Sequence, residues 1–229
     1  MQGLKHYFDL EQGTDEWLAA RCGLLTASEM KNIITPKKLQ YSCSEKERSH
    51  LYELAAQRIT KYVEPSFVSD DMLRGQEDEP FARMEYSRHY EPVRKCGFIT
   101  NDKWGFTLGY SPDGLVGHKG LIEVKSRRQK YQLQTIIDRE VSSEFLMQLQ
   151  TGMLVSERLW CDFVSYCGGM PMCVIRVYGD QVMQSAILEA AAEFYGKLET
   201  IVAEYSDRLS DTTLKHVPTE RRIQQEITA

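Results

Sequence analysis

Apolar residues recur at helical spacing toward both ends of the chain and alternate with polar ones through its middle. Asp15 to Arg21 predicts a first helix with Thr14 as its N-cap. Thr26-Ala27-Ser28-Glu29 predicts the start of a second, running into Ile33-Ile34 and stopped before Pro36. After a polar loop from Lys37 to Ser44, Glu45 to Tyr62 places Leu51, Leu54, Ala55 and Ile59 on one helical face. Asp70 to Tyr90 continues the helical pattern, with Pro80 disturbing it or starting a new segment. Strand signals then take over at Arg94–Thr100, Phe106–Tyr110 and Leu121–Ser126, with Gly117-His118-Lys119-Gly120 as a turn. Ser143 to Ser156 returns to helix. Trp160–Cys167 and Met172–Tyr178 read as a hairpin joined by Gly168-Gly169-Met170-Pro171. Gln181 to Tyr205 is amphipathic through Ile187, Leu188, Ala191, Phe194 and Leu198, and Leu209 to Ala229 is a polar tail. The order predicts one α/β domain over 1–229, with its core at about 11–205: a central mixed sheet flanked by helices.

Composition narrows the classes. With 229 residues and 42% hydrophobic content the chain can bury a core of its own. No apolar run reaches membrane-spanning length, and the first residues lack the apolar stretch of a secretory signal, so a cytoplasmic location is expected. A net charge of −5 excludes a generally basic DNA-coating protein but allows local positive charge. Arg127-Arg128-Gln129-Lys130, directly after the Leu121–Ser126 strand, is such a run; a solvated face is the commoner meaning of one. Six cysteines occur with no C-x-x-C pair, so Cys161, Cys167 and Cys173 read as small strand residues rather than cluster ligands.

The chemistry concentrates at Ser111-Pro112-Asp113-Gly114 and Glu123-Val124-Lys125. Alternation along a strand puts Glu123 and Lys125 on one face and Val124 on the other, with Asp113 arriving from the neighbouring strand end. Two carboxylates and an ammonium then converge on one point. Hard oxygen ligands suit Mg²⁺, the Val124 carbonyl offers another oxygen, and Lys125 can hold an attacking water. Cations nearby would lower the Lys125 pKa. A surface ion pair across a hairpin produces the same bare triad by chance.

Four segments in order resemble the phage lambda exonuclease group, the YqaJ-like viral recombinases, within the PD-(D/E)XK nuclease superfamily. They are Glu11-Gln12-Gly13-Thr14-Asp15-Glu16-Trp17 through Arg21 to Glu29; Arg74-Gly75 through Glu79 to Ala82-Arg83; the Asp113 and Glu123–Lys125 segment; and Gln148-Leu149-Gln150. The resemblance implies a restriction-endonuclease-like core and assigns roles. Glu79 is a further acid at the metal site, favoured over Glu77 and Asp78 by its spacing from Gly75. Gln148 orients water or DNA near the metal. Arg21 and Ser28 bind a terminal 5′-phosphate, Arg through its planar fork and Ser28 from a helix start, and Ser111 adds a hydroxyl. Arg127 and Arg128 are candidate DNA contacts. The family usually follows Glu-x-Lys with Cys-Pro where this chain has Ser126-Arg127, a departure that bears on DNA contacts rather than on catalysis.

The resemblance further implies Mg²⁺ (two ions, with Mn²⁺ able to substitute) and 5′→3′ digestion of one strand of double-stranded DNA to mononucleotides, leaving a 3′ overhang. It also implies a ring-shaped homotrimer, a single-strand annealing recombinase as partner, and a phage or prophage setting in a bacterial cell. Two other readings share the residues: a structure- or sequence-specific endonuclease with the same metal core, and a non-catalytic DNA-binding scaffold.

Overall fold

The computed structural model describes residues 3–65 and 69–221. From the N-terminus the order is β1 (Leu4–Tyr7), α1 (Asp15–Arg21), β2 (Leu25–Thr26), a 3-10 turn (Ala27–Glu29), α2 (Met30–Ile33), β3 (Ile34–Thr35) and β4 (Gln40–Tyr41). Next come α3 (Glu45–Thr60), α4 (Asp70–His89), β5 (Val93–Arg94), β6 (Phe98–Asn101), β7 (Leu108–Tyr110), β8 (Gly114–Val116) and β9 (Gly120–Ser126). The chain continues through α5 (Gln129–Asp138), α6 (Ser143–Ser156), β10 (Trp160–Tyr166), β11 (Cys173–Tyr178) and α7 (Gln181–Ser210).

Two sheets meet at the candidate site. One is four-stranded in the order β1-β6-β7-β2, the other five-stranded in the order β11-β10-β9-β8-β5. In the larger sheet β9 runs antiparallel to β8 and parallel to β10, so the crossover between β9 and β10 carries α5 and α6. Alternation along β9 separates two cores. Leu121 packs with Met147, Leu149, Met153 and Phe163 on the α6 side. Ile122 and Val124 pack with Ala82 and Tyr86 of α4 on the other. Among the described residues no helix is long and apolar enough to cross a membrane.

The expected Arg94–Thr100 strand is split between the two sheets. Gly97 sits at the break, where a Cβ would lie 1.8 Å from the Leu10 carbonyl oxygen, so the backbone passes hard against the loop after β1. The expected helix from Thr26 is mostly replaced: Thr26 pairs with Gly109 in the parallel β2–β7 ladder, and only a four-residue helix follows. Pro80 lies inside an unbroken α4, which loses one backbone hydrogen bond there and carries on. Strand β1 and helix α5 escape the sequence reading. Helix α5 buries only polar Gln132 and Thr135, while its apolar Leu133 and Ile137 face outward. Gln132 is held instead by the Ser165 carbonyl at 3.1 Å, the Pro171 carbonyl at 2.6 Å and the Ser165 hydroxyl at 2.6 Å. None of the six cysteines is in a disulfide.

Candidate active site

Asp113 lies on the short link between β7 of the smaller sheet and β8 of the larger. The β8–β9 register brings it beside Val124, whose N–H donates to Asp113 Oδ2 at 2.6 Å. On the other face of β9, Lys125 Nζ donates to Glu123 Oε1 at 2.8 Å, as the alternation requires. Gln148, from α6, donates to the same oxygen at 2.5 Å, and the Tyr110 hydroxyl donates to Oε2 at 3.0 Å. Glu123 is thus 2% exposed and satisfied by three donors from three elements. Glu79 and Arg83 sit one turn apart on α4 and pair with each other, and Arg83 Nε reaches the Asp113 carbonyl at 2.9 Å. Glu77 points to solvent and Asp78 is engaged by Ser126, which leaves Glu79 as the α4 acid facing the site. Gln150 is on the same helix as Gln148 but does a different job, holding the Tyr178 carbonyl and the Asp180 N–H, each at 2.8 Å.

The acids repel one another. Burial, followed by the charges of Glu123 and Glu79, holds the Asp113 carboxyl well above the usual carboxylate range. Burial also raises Glu79; Arg83 pulls it down and Glu123 pushes it further up. For Lys125 burial acts downward, but the carboxylates of Glu123 and Asp113 outweigh it and hold the ammonium above its ordinary value. The expected lowering belongs to a site that holds cations; the charges beside Lys125 here are anions. A cluster of hard oxygen donors under mutual repulsion is chemically suited to a divalent cation, whose charge would relieve that repulsion. Among the described residues no three Asp, Glu, His or Cys side chains are gathered closely enough to hold a metal together. Lys125, Arg83, Gln148 and the Val124 N–H occupy the carboxylates instead.

A second cluster adjoins the first through Ser111. Arg21 donates to the Ser111 hydroxyl at 3.3 Å and to the Thr26 hydroxyl at 3.3 Å, and Thr26 and Ser28 share a hydrogen bond at 3.2 Å. The guanidinium stacks 4.0 Å from the ring of Trp17, whose indole N–H donates to Ser111 at 3.1 Å. Burial pushes the Arg21 pKa down to about 10, with Glu29 pulling the other way, so it stays cationic at neutral pH. Among the described residues no carboxylate forms an ion pair with it. Arg21, Ser28 and Ser111 are therefore brought together. Ser28, however, sits in the 3-10 turn and not at the head of a full helix, so its hydroxyl remains a candidate contact and the helix-start argument does not. Trp17 and Thr26 were missed as site residues. The one-turn spacing of Trp17 and Arg21 on α1 was the available signal.

Arg127 and Arg128 diverge. Arg127 is mostly covered, 5.0 Å from the rings of both Tyr131 and Phe145, with its buried Nε lacking a partner. Arg128 is exposed and clasped by Asp71 at 3.0–3.2 Å. An open cleft of about 550 Å³ runs past both, between α4 and the start of α5.

Residues 16–159 match the YqaJ-like viral recombinase domain. The chain is similar to an alkaline exonuclease (LHK-Exo) from Laribacter hongkongensis: 31% identity, TM-score 0.77, with 86% of this chain and 98% of that one covered. The same exonuclease in complex with dAMP gives 32% identity over the same shares, also at TM-score 0.77. A phage-related exonuclease from Haemophilus somnus, at 12% identity and TM-score 0.60 over 80% of this chain and 96% of its own, shares the fold. No curated protein sequence matches. The chain belongs to the YqaJ-like viral recombinase domain family, on a PD-(D/E)XK-type mixed α/β fold.

Proposed function

We propose that the protein is a Mg²⁺-dependent 5′→3′ exonuclease. It digests one strand of double-stranded DNA from a 5′-phosphorylated end to mononucleotides. The observation that carries this reading is the Ser111 hinge: the Arg21 cluster and the acidic site share one tight loop, because Ser111 lies two residues before Asp113. An arginine without a carboxylate partner suits a dianionic terminal phosphate, and a strand held there lays its first phosphodiester toward the acids. Membership of a viral recombinase family and similarity to an alkaline exonuclease, one form of which is a complex with dAMP, support the same reading.

Glu79, Asp113 and Glu123, with the Val124 carbonyl, would hold one or two Mg²⁺ ions, or Mn²⁺ in their place, which supply charge neutralisation on the phosphodiester and an acidified water. Every other part falls to the chain. Lys125 orients the attacking water and faces the charge that builds on the phosphate. Gln148 and Tyr110 fix the Glu123 carboxylate so that it need not reorganise during the reaction. Arg127, backed by Phe145 and Tyr131, meets the phosphate backbone of the strand leaving the site. Arg128 joins it once DNA phosphate replaces Asp71. A homotrimeric ring around the duplex, a single-strand annealing recombinase that takes the 3′ overhang, and a phage or prophage role in the bacterial cytoplasm complete the reading. A ring would hold an acidic protein on DNA by topology rather than by net attraction.

Linear and covalently closed circular duplexes incubated separately with Mg²⁺ distinguish this from an endonuclease. Degradation of the linear form alone is expected. Rapid cutting of the circle would move the reading to an endonuclease.

A further inference from the structure

The acids come from two elements that need not stay in register: β9 carries Glu123, and α4 carries Glu79. One stitch between them is Arg83, which spans Glu79 and the Asp113 carbonyl. A second stitch lies on the far side of Glu79. The Ser126 hydroxyl donates to Asp78 Oδ2 at 2.5 Å and accepts from Arg74 Nε at 2.9 Å. Arg74 Nη1 in turn donates to Asp71 at 2.7 Å, the same carboxylate that clasps Arg128. Each end of the stitch is one residue from a site group: Asp78 precedes Glu79, and Ser126 follows Lys125.

We infer that Ser126 is a positioning residue. Through Asp78 and Arg74 it locks the first half of α4 onto the end of β9 and so sets the distance between Glu79 and the Glu123–Asp113 pair. This rests on the proposed cation-holding role of those acids. Strand alternation turns the Ser126 side chain away from Lys125 and toward α4, so it acts on the site only through the helix. Apolar packing of Ala82 and Tyr86 against Ile122 and Val124, with the Tyr86 hydroxyl donating to Asp162 of β10 at 2.6 Å, anchors the second half of α4 and leaves the first half, from Asp70 to Glu79, to be placed by other contacts. Hydrogen bonds from one hydroxyl to two α4 side chains fix the register.

The test is Mn²⁺ binding to the DNA-free protein, by calorimetry or by the paramagnetic resonance of free Mn²⁺, alongside thermal melting in EDTA. Ser126→Ala should weaken the tighter Mn²⁺ site by about tenfold, the low end for loss of a group supporting metal ligands. Its melting temperature should stay close to that of the unmodified protein. Ser126→Thr keeps the hydroxyl and should recover the affinity. Unmodified affinity in Ser126→Ala overturns the inference, as does a loss that Ser126→Thr fails to recover. Glu79→Gln is the control: if it binds Mn²⁺ normally, the cation reading of the acids has failed, and not the stitch alone.

Discussion

Gly152 is a buried helix residue whose replacement should harm the site more than the fold. It lies on α6 against the ring of Tyr110, where an added Cβ would sit 2.7 Å from Cζ and 2.9 and 3.0 Å from the flanking ring carbons. Carbon–carbon contacts settle at about 3.5–4.0 Å, so Gly152→Ala requires the ring to retreat by about 1 Å. Tyr110 is 1% exposed, a rigid aromatic, and its hydroxyl is 3.0 Å from Glu123 Oε2. The retreat therefore breaks that hydrogen bond or drives Glu123 off Lys125 and Gln148. Overpacking costs about 1–3 kcal/mol, and the better helix propensity of alanine returns about 1 kcal/mol. Net destabilisation should be about 0–2 kcal/mol, a drop of a few degrees in melting temperature. The reaction should slow by about 100-fold, the usual order for a 1 Å misplacement of reacting groups. Gly196→Ala in α7 is the matched control, since a Cβ there meets nothing within 4 Å. Release of mononucleotides from linear duplex and thermal melting, measured on both variants, decide it. Unchanged turnover in Gly152→Ala would refute the claim that Tyr110 transmits the packing of α6 to Glu123.

If the Lys125 ammonium acts on the water and the building charge, as proposed, Lys125→Ala should lower cleavage by about 1,000-fold or more while duplex binding in Ca²⁺ stays within a few-fold; full activity would remove it from the mechanism. Asp162 is buried on β10 between Arg176, at 2.8 Å through two nitrogens, and the Tyr86 hydroxyl at 2.6 Å. Asp162→Ala strands the buried Tyr86 hydroxyl, while the half-exposed Arg176 can turn to water, and should cost about 1–3 kcal/mol in urea unfolding; an unchanged stability would show that water takes over both partners. Burial pushes the Tyr195 phenol from 10.0 up to about 12, with its hydroxyl between the Leu25 N–H and the Thr107 carbonyl. The folded state then keeps this proton longer than the unfolded chain. Its contribution is intact below pH 10 and fades as pH rises toward 12, by about 3 kcal/mol in all. Unfolding midpoints across that range should fall less steeply in Tyr195→Phe, and parallel curves for the two proteins would contradict the assignment.

Much of the geometry of the candidate site was legible in the sequence because it rests on local rules. Period-two alternation alone puts Glu123 beside Lys125 and turns Val124 away, and a turn at Gly117–Gly120 returns the chain so that Asp113 meets Val124. What the sequence concealed depends on tertiary partners. Tyr110 reads as an ordinary strand aromatic, and only the packing of α6 shows that it also holds Glu123. Trp17 reads as a helix aromatic, although it braces both Arg21 and Ser111. Helix α5 buries Gln132 and Thr135 and exposes its apolar Leu133 and Ile137, the reverse of what hydrophobic periodicity leads one to expect. The segment from Thr26 carries a cap residue and helical formers, yet pairing of β2 with β7 claims Thr26 for a sheet. The tail from residue 211 to residue 221 is irregular, and its last residues, 222–229, lie outside the described part of the chain.

The coupling of the Arg21 cluster to the acids through Ser111 is the centre of the functional reading. It is tested most directly by following mononucleotide release from two linear duplexes that differ only in a 5′-phosphate or a 5′-hydroxyl, with Mg²⁺, for the unmodified protein and Arg21→Ala. The phosphorylated duplex should be digested about tenfold faster or more, as expected for a charged partner left unmatched, and Arg21→Ala should erase most of that difference. Equal rates on the two duplexes for the unmodified protein would contradict it.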